Sequence, residues 1–415
     1  MSLPSAFSYR QGILHCQDVD LRRLAEEVST PCYVYDEASI MDGFGRLRDA
    51  FAGAEATLFY AVKANSNLAV LNLLRRQGSG FDIVSGGELQ RVLHVGGDPK
   101  KVIFSGVGKT RPELEMALQT GLFSIHVESI PELELIGQLA RQRGERARIS
   151  FRFNPDVDAQ THPYIATGLR RHKFGLDVSR VSEVFRSLEG HPELEVVGLG
   201  SHIGSQIFDM QPFIESFRRM KALAGRFKQQ GFKVSHLDLG GGLGVPYEPM
   251  QARPQLDRYA DVLARERGDY KIVLEPGRCL VAEAGALLTR VIYHKVNNDK
   301  HFVVVDGAMN DLLRPALYQA YHEIVPVAEA PGEIVADVVG PVCETGDFLA
   351  RDRLVADYQR GDLAAVLHAG AYGFCLSSNY NSRPRVAEVM VRGKDWEVIR
   401  RRESFQDLIR GEAPL

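Results

Sequence analysis

The sequence predicts an α/β fold: a (β/α)8 TIM-like barrel plus a C-terminal β-rich domain, a sandwich or barrel, completed by the N-terminal segment. Between about residues 57 and 275, short apolar runs alternate with longer segments of helical period, which is typical of βα units. Eight such runs fall within about 220 residues, the number of strands that a closed barrel needs. After about residue 282, alternating apolar runs between turn residues indicate antiparallel strands.

The barrel strands are expected to be short and regularly spaced. They cover residues 57–63, 81–84, 102–107, 123–127, 147–155, 196–206, 236–244 and 271–278. Helical patterns lie between them, for example at residues 130–143 and 213–229, where apolar residues recur every three or four positions. A doubly wound open sheet is the alternative, because a sequence does not show whether a sheet closes.

The length of the chain favours two domains. Its 415 residues exceed what a single hydrophobic core usually supports. We place the barrel at residues 37–281 and the β domain at residues 1–36 together with 282–415. The strands expected in the β domain cover residues 31–36, 287–296, 301–307, 331–340, 362–374 and 385–393.

Composition and charge exclude several classes of protein. The net charge of -3 is small and no block of like charges occurs, so nucleic acid and anionic membranes are poor candidate partners. The N-terminus lacks the pattern of a secretory signal and no apolar run approaches the length of a membrane span, so a cytoplasmic location is expected. Five scattered cysteines predict neither a disulfide framework nor a structural zinc site.

Residues with distinctive chemistry lie near the C-terminal ends of the predicted strands, where barrels carry their active sites. They are Lys63, Asp82, Asn154, His202, Gly240, Gly241, Gly242, Glu275 and Arg278. A lysine at the end of a buried strand becomes nucleophilic if it loses proton affinity, and a glycine run offers backbone N–H groups to a phosphate. A carboxylate suits a protonated pyridine nitrogen, and arginine suits a substrate carboxylate.

Each of these residues also has an ordinary structural explanation. Most lysines are solvated, a glycine run often makes only a turn, and Glu275 with Arg278 suits an internal salt bridge. His202 alone is more typical of a hydrogen-bonded core histidine than of a metal ligand. As a set, however, they are the components of a pyridoxal-phosphate (PLP) enzyme. The sequence therefore predicts PLP as cofactor and no metal.

Ordered motifs cover nearly the whole chain: YAVKAN, FDIVSGGEL, RFNPDV, HPYIATG, KFG, HIGSQ, LDLGGGLG, EPGR, PVCETGD, GAYGF and SSNYNSRPR. With them the sequence resembles the fold type III PLP-dependent decarboxylases. Within that family it is most similar to the enzymes that act on meso-2,6-diaminopimelate. The resemblance implies decarboxylation of this amino acid to L-lysine and CO2, the last step of lysine biosynthesis, by a homodimer whose active site is shared across the interface.

The same resemblance implies roles for individual residues. Lys63 forms the Schiff base with PLP, His202 stacks on the ring, and Cys343 is the catalytic proton donor. The other cofactor-binding residues are Asp82, Ser205, Gly240, Gly241, Gly242, Glu275, Gly277, Arg278 and Tyr372. The substrate-binding residues are Arg278, Arg314, Tyr318, Glu344 and Tyr372. Cys343 and Glu344 are expected to enter the barrel mouth of the partner subunit.

The proposed substrate carries a second carboxylate and a second ammonium at its far end. Arginine beside Glu344 satisfies both groups, whereas ornithine would leave a buried arginine unpaired. Related decarboxylases for ornithine, arginine, carboxynorspermidine or carrier-bound glutamate are the nearest alternatives. A racemase of the same barrel class and a non-catalytic PLP-binding homologue are the others.

Overall fold

The computed structural model describes residues 3–157, 173–330 and 332–414. The chain forms two compact units. One, here called the barrel unit, comprises Phe44–Gly244 and Arg253–Gly277. The other, the β unit, comprises Met1–Gly43, Val245–Ala252 and Arg278–Leu415.

The barrel unit is a closed ring of eight parallel strands, as the sequence predicts. In chain order they are Ala56–Ala61, Gly80–Ile83, Val102–Phe104, Ser124–Val127, Ala147–Asn154, Leu194–Gly200, His236–Asp238 and Lys271–Leu274. Each pairs with the next, and the eighth pairs with the first, which closes the ring. A short strand, Leu176–Asp177, pairs in parallel with the last two residues of the fifth strand, Phe153 and Asn154.

Helices alternate with these strands. They are Glu37–Ala50, Leu68–Arg76, Gly86–His94, Arg111–Thr120, Ile130–Arg143, Val181–Glu189, Gln211–Gln229 and Asp257–Glu266. Ile130–Arg143 begins where the Ser129 side chain accepts a hydrogen bond from the Glu132 N–H, and it buries Ile130, Leu133 and Ile136. This spacing of three residues places one apolar face toward the core.

Several barrel strands end earlier than their apolar runs predict. The first, sixth, seventh and eighth strands end at Ala61, Gly200, Asp238 and Leu274. Irregular loops follow these ends, and Lys63 lies in a 3-10 turn, Val62–Ala64. These loops therefore place the side chains with distinctive chemistry at the C-terminal edge of the barrel.

The β unit contains the strands Phe7–Arg10, Ile13–Cys16, Val19–Asp20, Cys32–Asp36, Gly285–Asn297, Lys300–Val305, Ile324–Pro326, Glu333–Val339, Phe348–Ala356, Leu363–Val366, Ala387–Arg392 and Asp395–Arg400. Its short helices are Leu21–Val28, Arg278–Val281, Arg314–Tyr318 and Phe405–Leu408. Cys32–Asp36 lies between Gly285–Asn297 and Ala387–Arg392 within one sheet, so the N-terminal segment completes this fold as predicted.

The expectation of a purely antiparallel sheet is wrong. Cys32–Asp36 pairs in parallel with Ala387–Arg392, and Lys300–Val305 pairs in parallel with Glu333–Val339. Parallel neighbours need long connections, and both pairs are joined by segments far longer than a hairpin. Within the described ranges, no helix combines the length and hydropathy that crossing a bilayer requires.

Candidate active site

Lys63 and Asp82 form an ion pair at the edge of the barrel. Ala61, the last residue of the first strand, pairs with Asp82 in the second strand, and the turn after Ala61 directs Lys63 toward that carboxylate. Lys63 Nζ lies 2.7 Å from Asp82 Oδ2, and the Asp82 side chain is fully buried. The amine is therefore held in a fixed place next to a negative charge.

Glu275 lies beside a second buried carboxylate, that of Asp238. Together with His126 they form a cluster whose nearest nitrogen and oxygen atoms lie within 4.8 Å of one another. Glu275 Oε1 and Asp238 Oδ2 are buried and accept no hydrogen bond from any described residue. A proton or a cationic N–H at this position would satisfy both oxygens.

Electrostatics support the same conclusion about this carboxylate pair. Burial raises the pKa of Asp238 to about 7. Burial, with the nearby charges of Asp238 and Asp82, raises the pKa of Glu275 well above its usual range. Burial and the positive charges of neighbouring side chains lower the pKa of His126 well below its usual range, so the ring is neutral. The cluster therefore favours a bound positive charge.

Gly240, Gly241 and Gly242 form a tight loop directly after the seventh strand. A Cβ at Gly241 would lie 2.2 Å from the backbone oxygen of Glu275, and one at Gly242 would lie 2.2 Å from the Gly204 oxygen. No side chain fits at either position without moving backbone. Since Gly240 and Gly242 also have positive φ, this loop exposes backbone N–H groups in a way that only glycine permits.

His202 lies against this loop. The Gly241 N–H donates to His202 Nδ1 at 3.3 Å, so Nδ1 is the acceptor and a proton on the neutral ring is carried by Nε2. Burial lowers the pKa of His202 well below its usual range, and the charges of Arg152 and Lys63 act in the same direction. The half-buried Ser205 lies three residues after His202, in the loop that follows the sixth strand.

Several of these side chains line one cavity of about 430 Å³, among them Lys63, His126, Arg152, His202, Asp238 and Glu275. Gly277 lies near the lysine turn, because a Cβ there would come within 3.1 Å of Ala61 and Ala64. Asn154 does not line this cavity; its amide donates to the Phe174 oxygen at 2.6 Å. An amine and a carboxylate pair thus converge on one space, and the glycine loop contacts the wall of that space through His202.

In the β unit, two arginines flank the ring of Tyr247. The Arg278 guanidinium lies 6.0 Å from the ring centroid, and its Nη1 donates to the Tyr247 hydroxyl at 3.2 Å. The Arg314 guanidinium lies 4.3 Å from the same centroid. Arg278 also lies 4.7 Å from the centroid of Tyr372, while Tyr318 ends the short helix that Arg314 begins.

Cys343 and Glu344 are exposed on a turn of the β unit. The Cys343 N–H donates to Asn381 Oδ1 at 2.8 Å. The buried Asp347 holds this turn, because its carboxylate accepts from the N–H groups of Met309 and Val342, both at 2.7 Å. The thiol therefore stands on a fixed backbone.

Comparison with known proteins identifies the family of this chain. Residues 37–282 match the family model described as pyridoxal-dependent decarboxylase, pyridoxal binding domain. The diaminopimelate decarboxylase of Pseudomonas aeruginosa is 50% identical over 413 residues, which is 99% of each chain. The chain belongs to the diaminopimelate decarboxylase family.

Solved structures of this family have the same fold as this chain. The Helicobacter pylori diaminopimelate decarboxylase complexed with L-lysine has a TM-score of 0.90 at 41% identity, and the match covers 94% of this chain and 98% of that one. The M. jannaschii diaminopimelate decarboxylase in co-complex with L-lysine has a TM-score of 0.93 at 37% identity, with 100% and 99% covered. Family membership confirms the predicted fold type and a PLP-dependent carboxy-lyase.

The barrel cavity fits the cofactor of a diaminopimelate decarboxylase. The buried Glu275 oxygen that lacks a donor suits a protonated pyridine nitrogen, and the glycine loop suits a phosphate group. The Lys63 amine suits the PLP aldehyde. Among the motifs that carry the family resemblance, HPYIATG lies outside the described residues.

Sequence reasoning missed four side chains near these groups: His126, Asp238, Tyr247 and His322. The polar residues of the short run HLD could have indicated the Asp238 site, because two buried polar side chains in one strand are unusual. Tyr247 and His322 carry no comparable signal, since their contacts with Arg314 appear only in the folded chain.

Proposed function

We propose that this chain decarboxylates meso-2,6-diaminopimelate to L-lysine and CO2, the last step of lysine biosynthesis. The observation that carries the proposal is the pair of arginines, Arg278 and Arg314, held on the ring of Tyr247. Two guanidinium groups suit a substrate with two carboxylates. Relatives at 42% to 50% identity bear the name diaminopimelate decarboxylase, which supports the same substrate.

When bound, PLP supplies an electron sink for the electron pair that CO2 loss leaves on Cα. Lys63 Nζ would hold the cofactor through its aldehyde. Asp82, whose carboxylate lies 2.7 Å from Lys63 Nζ, would keep this amine in place whenever it is not bonded to the cofactor.

Glu275 would hold a proton on the pyridine nitrogen of the cofactor. A buried carboxylate beside Asp238 is stabilised by a positive partner, and the ring N–H would supply one. His202, neutral because burial lowers its pKa, would pack against the cofactor ring without adding a competing positive charge. Gly240, Gly241, Gly242, Ser205 and Gly277 would hold the phosphate end.

Arg278 and Arg314 bind the substrate carboxylates, and Tyr318, Tyr372 and Glu344 complete recognition. Glu344 is exposed and acceptor-only when ionised, so it suits the distal ammonium. The Cys343 thiol would supply the proton that replaces CO2 on Cα. These roles account for both charged groups at the distal end of the substrate.

Cys343 and Glu344 act, in this proposal, within the site of a partner subunit of a homodimer. Their exposed position on a turn held by Asp347 supports an intermolecular role. Mixing inactive Lys63→Ala chains with inactive Cys343→Ala chains should restore about a quarter of the normal activity, as random pairing in a two-fold dimer gives one intact site in half of the molecules. No recovery after confirmed subunit exchange would contradict the shared site.

The proposed domains are a PLP-binding barrel at residues 37–281 and a β domain at residues 1–36 and 282–415. The family model that matches residues 37–282 supports this division. The proposed compartment is the cytoplasm, where free thiols persist. None of the five cysteines, all of which lie within the described ranges, forms a disulfide, which agrees with a reducing environment.

The decisive experiment measures CO2 release from meso-diaminopimelate, ornithine, arginine and lysine by the PLP-loaded protein. Ornithine, arginine or lysine as the preferred substrate would refute the assignment, as would release from none. Arg314→Gln should raise KM for meso-diaminopimelate, because it removes a positive charge from carboxylate recognition. Lys101→Gln, which removes an exposed cation, is the matched control.

A further inference from the structure

Arg314 is a buried cation whose contacts leave its charge uncompensated. Its side chain is 5% exposed, and its Nη1 donates to His322 Nε2 at 2.7 Å. Within the described part of the chain it forms no hydrogen bond or ion pair with a carboxylate. A buried guanidinium normally has an anionic partner, because an unpaired charge costs several kcal/mol. The arrangement points to an anion that arrives from outside the chain.

The partners of His322 determine where its proton lies. Arginine has no acceptor, so Nε2 accepts from Arg314 through a free lone pair. Nδ1 lies 2.8 Å from the Leu367 backbone oxygen, which only accepts, so Nδ1 carries the hydrogen. His322 is fully buried, and burial together with the Arg314 charge lowers its pKa well below the usual range. The imidazole is thus a neutral acceptor.

Tyr247 limits the movement of the same guanidinium from another side. Its ring centroid lies 4.3 Å from Arg314, and the ring meets His322 edge to face at 5.4 Å between centroids. Burial and the Arg314 charge keep the His322 ring neutral. Arg314 is therefore oriented by a hydrogen bond and an aromatic face, and both leave its positive charge available.

We propose that His322 is a positioning residue that sets specificity for a carboxylate-bearing substrate by holding Arg314 without neutralising it. A carboxylate in place of His322 would also orient the guanidinium, but it would compete with the substrate. The neutral imidazole orients Arg314 and keeps the site cationic. This inference rests on the proposed function, in which Arg314 binds a substrate carboxylate.

Two substitutions separate the role of the Nε2 acceptor from the role of the Nδ1 donor. In His322→Gln the side-chain oxygen lies as many bonds from Cα as Nε2 does, so it can accept from Arg314. In His322→Asn the amide lies at the position of Nδ1, so it can donate to Leu367 but does not reach Arg314. Both variants place a neutral amide in the same buried position, and each therefore controls for the other.

The measurements are steady-state kinetics with meso-diaminopimelate and calorimetric binding of pimelate, a seven-carbon dicarboxylate without amino groups. His322→Asn should raise KM and the pimelate Kd about tenfold or more, with kcat within about threefold, because a lost charge-assisted hydrogen bond affects binding. His322→Gln should keep both constants within about threefold of the unaltered protein. PLP absorbance and thermal unfolding of both variants show whether cofactor and fold are retained.

The outcomes distinguish this inference from the proposed function. Unchanged pimelate affinity in His322→Asn would overturn the positioning role, and so would equal losses in the two variants, which would indicate a structural role alone. Failure of the unaltered protein to bind pimelate would also overturn it. If pimelate binding depends on His322 as described but meso-diaminopimelate is not decarboxylated, the proposed function fails and the positioning of Arg314 stands.

Discussion

Replacing Gly241 with alanine should weaken PLP binding, because the glycine loop has no room for a methyl group. A Cβ at this position would lie 2.2 Å from the Glu275 backbone oxygen and 3.1 Å from its carbonyl carbon. Both neighbours are backbone atoms, which cannot rotate away as the end of a side chain can. The φ of Gly241 lies outside the left-handed region, so lack of space alone opposes the substitution.

The size of the effect follows from the displacement required. The two backbone segments must separate by about 1 Å, and overpacking of this kind costs about 1–3 kcal/mol. If the cost falls on the PLP-bound state, the Kd for PLP rises about 5- to 150-fold. The displaced segment carries Glu275, so the proposed phosphate and pyridine contacts would both weaken.

The assay is a titration of PLP into the cofactor-free protein, followed by absorbance. Gly225→Ala is the matched control, because this helical glycine has nothing within 4 Å of an added Cβ and alanine favours helix. The control should bind PLP normally. A Gly241→Ala protein that is folded and binds PLP as tightly as the control would refute the assignment of this loop to the cofactor.

Three further predictions concern stability and covalent attachment. Asp238 has a folded pKa of about 7, above its unfolded value, so its contribution to the stability of the PLP-free protein is complete below about pH 4 and is lost as pH rises through 7. Urea unfolding between pH 5 and 8 should show this decline, and Asp238→Asn should flatten it; equal slopes would contradict the burial argument. Lys63→Ala should abolish borohydride fixation of PLP measured by mass spectrometry, whereas Lys101→Ala should retain it. Asp347→Ala leaves two backbone N–H groups without their acceptor and should lower the free energy of unfolding by about 1–3 kcal/mol, measured by denaturation against Asp352→Ala.

The barrel was predictable because its strands are buried on both faces and therefore appear as continuous apolar runs. The same property explains why several predicted strands extended beyond the observed ends. Ile203, Leu239 and Leu243 are apolar residues in loops that follow the strands, and Ile203 and Leu239 are buried as deeply as strand residues. Apolar content alone does not show where backbone pairing stops.

Two of the six β-unit strands that the prediction lacked, Phe348–Ala356 and Asp395–Arg400, have a different cause. Phe348–Ala356 contains the charged run Arg351, Asp352 and Arg353, and Asp395–Arg400 is largely exposed or half-buried. Both lie at the ends of the hydrogen-bonded strand order, with one neighbour each, so their sequences need not be apolar. Their pairing depends on partners elsewhere in the chain, which periodicity does not reveal.

Some residues of the candidate site could be predicted from local sequence, and others could not. Lys63, the glycine loop and Glu275 follow strands directly, so their position could be inferred from local sequence. The proposed role of His322 depends on its hydrogen bonds to Arg314 and to Leu367, which is 45 residues further along the chain. A histidine whose partners lie 8 and 45 residues away has no signature in its immediate flanking sequence, and its tautomer follows from those partners alone.

Because of the carboxylates that line the barrel cavity, the stability of the folded protein should depend on PLP binding. Asp238 and Glu275 are crowded together in a buried space, so the PLP-free chain retains an unfavourable arrangement that a cationic ring nitrogen relieves. A ligand that binds only the folded state at 100 times its Kd stabilises that state by about 2.7 kcal/mol. The abundance of the folded enzyme in a cell should therefore follow the supply of PLP, and limitation of this vitamin-derived cofactor would reduce the enzyme through turnover of unfolded chains as well as through lost catalysis.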